Sequence, residues 1–198
     1  MTTTTLPIEP LTASEVDLLL LACSKRAPSG LRDRALIGLL YGSGLRIAEA
    51  LALVRRDIDL VTGQVTVRRG KGGKRRVSAL TVAGVSLLEA WLTRRDKLGA
   101  KRSQPVFCQI QTGKVGEPIA QANVRQMLAR RTAKAGLDKR VHAHGFRHSH
   151  AAELAGKGTP MHIIQKQLGH SNLAVTSRYV DHLNPAEVVA EVRERLAR

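Results

Sequence analysis

The chain has 198 residues, with 32 Lys and Arg set against 16 Asp and Glu, a formal net charge of +16 at pH 7. Its length fits one domain, and a hydrophobic content of 43% excludes wholesale disorder. The surplus of cations points to a polyanionic partner, most often nucleic acid, against the plainer reading of a strongly solvated surface.

Tyr41, Trp91, Phe107, Phe146 and Tyr179 are all of its aromatic residues. Such scarcity argues against reading single-stranded bases by stacking and favours contact with the backbone of duplex DNA. Cys23 and Cys108 are too few for a disulfide framework or a zinc ribbon. The longest apolar run, Leu18 to Cys23, is far too short to cross a membrane. Met1 to Thr5 lacks the basic region and apolar stretch of a secretion signal, so a cytoplasmic protein is expected.

Thr12-Ala13-Ser14-Glu15 has the pattern of a capping box, with Leu11 and Val16 placed as a hydrophobic staple. The helix it opens is expected to bury Val16, Leu19, Leu20 and Cys23, and to break at Pro28-Ser29-Gly30. A second helix is predicted through Ala35, Leu36, Leu39 and Leu40, then a tight turn at Gly42-Ser43-Gly44 and a third helix from Leu45 to Leu53. Gln64 to Arg68 alternates like a half-buried strand, and Arg75 to Leu80 is a second candidate, joined by Gly70-Lys71-Gly72-Gly73. Helical spacing returns over Val82 to Leu98 and Val124 to Ala135, with a possible short strand at Pro105 to Cys108. From His144 short helices follow, ending near Gly156 and Leu168, and a last amphipathic one opens at Asn184-Pro185. The expected fold is mainly α with a small antiparallel sheet, an α+β domain behind a frayed segment of residues 1–10.

Four features could carry chemistry. Arg68 to Arg76 gathers six cations in nine residues at a hairpin tip, where glycines allow close approach to phosphates; a charged edge that resists aggregation is the plain alternative. His142, His144, His148 and His150 invite a metal reading, but HExxH spacing and neighbouring Cys or carboxylate ligands are missing. On a helix, His144 and Arg147 share a face, an arrangement suited to gripping an anion. Leu168-Gly169-His170 precedes Tyr179 by nine positions from the histidine, and Gly44-Leu45-Arg46 sets Arg46 and Glu49 at i,i+3.

Taken in order, Gly-Leu-Arg-x-x-Glu, a Gly-Lys-Gly hairpin, His-x-x-Arg, Leu-Gly-His and the following Tyr resemble the catalytic domain of the tyrosine recombinases, the phage-integrase and Xer-type family. The resemblance covers about residues 11–185. It implies that Arg46 and Arg147 clamp a scissile phosphate, that His144 and His170 are the further donors, and that Lys71 is the general acid. Tyr179 would be the nucleophile and Glu49 would orient Arg46. Lys74 is the rival to Lys71, while Arg69, Lys74, Arg75 and Arg76 are expected to contact DNA. The implied activity is site-specific DNA recombination through a 3′-phosphotyrosyl intermediate, with no metal, ATP or other cofactor. A DNA-binding regulator of the same fold and a type IB topoisomerase-like enzyme are the alternatives.

The resemblance also implies double-stranded DNA as partner, a homotetramer in the synaptic complex, and an accessory DNA-binding protein as a further partner. Residues 11–183 would form the catalytic domain, and 184–198 a helix that docks on a neighbouring protomer or on its own. Relatives place a core-binding domain ahead of the catalytic one, and with a capping box already at Thr12 that domain is expected to be absent. This fits either a catalytic-domain-only enzyme or a truncated chain.

Overall fold

The computed structural model describes residues 10–70, 73 and 75–169. Helix α1 (Ala13–Leu21) opens on the anticipated cap: Thr12 Oγ1 accepts the Glu15 amide at 3.2 Å, and Glu15 Oε2 accepts the Thr12 amide at 2.7 Å. Leu11 and Val16 are both buried, as a staple requires, whereas Leu20 is only partly covered. Just ahead of them, the Pro10 carbonyl accepts from Lys139.

Pro28 opens α2 (Pro28–Ser43), because at the first helical position its missing N–H costs no hydrogen bond. Ala35, Leu36, Ile37, Leu39 and Leu40 are all buried, so α2 is the central rod, packed by α1, α4 (Val82–Lys97) and α6 (Ala143–Gly156). Gly44 ends it in the left-handed region at φ 64°. A side chain there would also run into Leu168 and His150. That cap turns the chain so sharply that α3 is only Ile47–Leu51, shorter than the predicted Leu45 to Leu53, with Arg46 left extended at its N-cap.

The sheet is an antiparallel meander, β1 (Ile58–Asp59), β2 (Gln64–Val67) and β3 (Arg76–Ala79), in which Ile58 faces Val65 and Val67 faces Arg76. Strand β1 is too short to show alternation in sequence. Pro105 to Cys108 makes only isolated bridges, Val54 to Pro105 and Cys108 to Pro118. Pro105 has no N–H for a ladder, although the Val106 amide still reaches the Leu53 carbonyl at 2.7 Å.

Helix α4 buries Leu88, Trp91 and Leu92, and Trp91 Nε1 donates to the Val106 carbonyl at 2.9 Å. Arg95, 0% exposed, donates to the carbonyls of Ala100, Lys101, Gln104 and Pro105 and so folds the following loop around itself. Helix α5 (Gln121–Lys134) buries Val124, Met127 and Leu128, and its Arg131 meets the buried Asp33 of α2. Helix α7 (Met161–Leu168) rests with α6 on a separate small cluster of Ala151, Ile164 and Leu168. Among the described residues no helix is long and apolar enough to cross a membrane.

Candidate active site

The turn after α2, the start of α3, the hairpin and the end of α7 meet above α6. Glu49, the third residue of α3, is buried and accepts the Arg46 amide at 2.9 Å and Arg46 Nη1 at 3.1 Å. Its two oxygens also accept Nη1 and Nη2 of Arg76, each at 3.0 Å, a fork-on-fork pair. Burial alone would raise the Glu49 pKa, but the Arg76 bonds, the Arg46 amide and both guanidinium charges hold it below the ordinary value.

Helix α6 is capped by His142, whose Nδ1 accepts the Gly145 amide at 2.9 Å. This cap fixes the first turn and with it His144 and Arg147, one turn apart. Arg147 is 1% exposed. It donates Nη1 to the Gly44 carbonyl and Nη2 to the Leu168 carbonyl, both at 2.6 Å. A single guanidinium thus ties the turn before Arg46 to the end of α7. The His144 ring stacks edge-on against His148, with centroids 4.4 Å apart. Partial burial, then the charges of Arg147, His142 and Arg46, push the His144 pKa below its usual value, which favours the neutral imidazole.

His150 lies beneath this layer and is 5% exposed. Its Nε2 is 3.2 Å from the Gln167 amide nitrogen, and burial is the main reason its pKa is lowered. The four histidines therefore point to separate tasks, and among the described residues no group of three or more His, Cys, Asp or Glu could hold a metal ion. Gln167 itself imitates a strand. Its Oε1 accepts the Ala79 amide at 2.9 Å and its Nε2 donates to the Ala79 carbonyl at 2.7 Å, fastening α7 to the edge of β3.

The structure thus brings together Arg46, Glu49, Arg76, His144 and Arg147. Arg69 and Arg75 are exposed on the hairpin stems. Lys71, Lys74, His170, Tyr179 and the segment 184–198 lie outside the described residues. Sequence reasoning assigned Arg76 to the DNA-facing cations, yet its side chain is 13% exposed and paired with Glu49. Gln167 and the capping role of His142 were not foreseen. A neighbouring signal existed for Arg76: on a strand it shares a face with Ser78 and Leu80, both buried.

A helical domain with a three-stranded meander and this arginine-rich site has the fold of a tyrosine recombinase catalytic domain. It is similar to a XerA recombinase structure, at a TM-score of 0.76 and 26% identity, covering 94% of this chain and 65% of that one. It is also similar to XerH site-specific recombinase bound to a palindromic difH substrate in a post-cleavage complex, at a TM-score of 0.73 and 29% identity, covering 92% of this chain and 52% of that one.

Residues 9–185 match the phage integrase family, and the chain belongs to it. The tyrosine recombinase XerC of Xanthomonas campestris pv. campestris is 41% identical over 158 residues, 80% of this chain and 46% of the relative. That of Serratia marcescens is 35% identical over 157 residues, 79% of this chain and 50% of the relative. The chain therefore spans about half the length of the curated relatives it matches.

Proposed function

We propose that the chain is a site-specific DNA recombinase that breaks and rejoins duplex strands through a covalent bond to Tyr179. The observation that carries this reading is the gathering of Arg46, His144 and Arg147, with Arg46 held by the Glu49 carboxylate, Arg147 tied to the turn before Arg46, and both arginine charges acting on His144, within a family defined by that chemistry. A phosphodiester is anionic, so attack on it depends on positioning and on stabilising its non-bridging oxygens. Arg46, with a partly exposed side chain, has guanidinium donors beyond the one bonded to Glu49. Arg147, locked by two carbonyls, fixes the turn before Arg46 against the end of α7 and adds positive field. A neutral His144 can donate one N–H and accept a proton.

The tyrosines support the assignment of the nucleophile. The chain has two, and Tyr41 is a poor candidate. Burial and a hydrogen bond to Glu153 push its pKa up to about 12. Tyr179, nine positions after His170, follows the family spacing. In this reading its oxygen attacks phosphorus, forming the phosphotyrosyl bond while the bond to the 5′ oxygen breaks. Lys71 protonates the departing oxygen, with Lys74 as the rival donor, and His170 adds a donor. A second strand's 5′ hydroxyl then reverses the step. Double-stranded DNA is the substrate, four copies assemble in the synapse, and an accessory DNA-binding protein is a further partner.

The test is covalent capture from a library of nicked duplexes with a randomised core. Wild-type protein is expected to yield a DNA-linked species, and Tyr179→Phe to bind equally well with no link. Capture by Tyr179→Phe would overturn the assignment. Binding without capture by the wild type would favour a regulator, and relaxation of supercoiled DNA without sequence preference would favour a topoisomerase.

A further inference from the structure

Arg76 stands where three motif-bearing segments meet. It is the first residue of β3, directly after the hairpin loop. Its two terminal nitrogens grip Glu49, and its Nε is buried with no hydrogen-bond partner among the described residues. A Cβ built on Gly169, the left-handed cap of α7, would sit 2.5 Å from that Nε, so the Arg76 side chain fills the space that only a glycine at this cap leaves open. The opposite stem is anchored in the same manner, with Arg68 Nε donating to the buried Asp57 at 2.6 Å.

The charges explain what this arrangement does. Arg46 and Glu49 alone sum to zero, and a neutral pair attracts a phosphate weakly. Arg76 brings the group to +1 and satisfies both carboxylate oxygens, so Arg46 need contribute only one Nη bond. Exposure divides the labour: the Arg46 side chain is 31% exposed, against 13% for Arg76 and 5% for Glu49.

We propose that Arg76 is a positioning residue for Arg46, holding Glu49 so that Glu49 holds Arg46, and linking hairpin docking to the phosphate-binding arginine. The proposal rests on the recombinase reading of the site. It removes Arg76 from the DNA-contacting cations and makes its effect on catalysis indirect. An unseated hairpin would release Glu49, and the carboxylate would then draw Arg46 inward and away from phosphate.

The experiment compares wild type, Arg76→Gln, Arg76→Lys and Arg46→Gln on a captured-site duplex. One form carries an ordinary scissile phosphate and the other a methylphosphonate, which lacks the negative oxygen that Arg46 would meet. Arg76→Gln should bind the ordinary duplex within about twofold of wild type, with the same salt dependence. At saturating protein its capture should be about 100-fold slower, the usual loss when one preorganised donor is misplaced. On the methylphosphonate that deficit should shrink to within a few-fold, as it should for Arg46→Gln. Arg76→Lys should recover part of the rate, keeping the charge without the fork.

Weaker binding with a salt slope lower by about one, and an unchanged saturated rate, would make Arg76 a phosphate contact and overturn the proposal. Equal slowing on both substrates would reduce it to a structural residue and also overturn it. If Arg76→Gln does not fold, the same comparison is read from Arg76→Lys. Failure of wild type to capture any duplex is a separate outcome, and it would overturn the recombinase reading and this inference with it.

Discussion

Arg147 donates to two backbone carbonyls from segments 124 residues apart, Gly44 and Leu168. Lysine keeps the charge but lacks the planar fork that spans both acceptors. Arg147→Lys should therefore lower the unfolding free energy by about 3 kcal/mol, since hydrogen bonds from charged groups contribute about 1.5–3 kcal/mol each. Urea denaturation measures this, and a loss below about 1 kcal/mol would mean the carbonyls find other donors.

His150 gives a signed pH dependence. Burial, then the charges of Arg147 and Lys157, outweighs the favourable Glu153 charge and the bond to the Tyr41 carbonyl, so the folded state holds the ring neutral. A depressed folded pKa means its contribution is fully present above the ordinary value near 6.5 and is lost as pH falls from there through the lowered pKa. The difference in stability between wild type and His150→Phe should thus shift in favour of the variant as pH drops from 7.5 to 5. A constant difference would show that His150 does not titrate. Its place in the histidine cluster was legible in the sequence. Its partner Gln167 was not, because nothing in a one-dimensional pattern pairs residues 150 and 167.

At the scale of elements, α7 is held by polar ties as much as by packing. Its apolar support is the small cluster of Ala151, Ile164 and Leu168, and Gln167 adds the strand-like pair with Ala79. Gln167→Leu should cost about 1–2 kcal/mol. It should also speed hydrogen exchange at the Ala79 amide, while the Ser78 amide, which points toward β2, stays protected. Unchanged Ala79 exchange would show that water replaces the glutamine.

The elements themselves were mostly readable. The Thr12 cap, the strand at Gln64 and the helices from Val82 and near Val124 all rest on local chemistry. Misreadings came where tertiary context decides. Pro28 starts a helix because the chain before it is already turned. The third helix is short because Gly44 redirects it. Strand β3 reverses the usual polarity, with Val77 half-exposed and Arg76 turned inward, because Glu49 waits on the buried side.

Across the whole molecule, the net charge of +16 overstates the cations available to DNA. Arg95 is enclosed by carbonyls, while Arg76 and Arg131 are engaged with buried carboxylates. Arg69 and Arg75 remain exposed beside the hairpin loop. Substituting either with Ala should lower the slope of log affinity against log salt by about one, whereas Arg95→Lys should leave the slope unchanged. The motif order made the family legible from sequence, since each motif spacing is local. The coupling among motifs was not, because Glu49, Arg76 and Gly169 meet only when the chain folds.

Strand exchange by this chain turns on a covalent bond to one tyrosine, which is read by mass spectrometry of the DNA-linked peptide after trypsin and nuclease digestion of captured complex. Cleavage after Arg178 and Arg193 would release residues 179–193. A residual nucleotide is expected on that peptide, attached to Tyr179. Attachment at Tyr41 or at any other residue would contradict it.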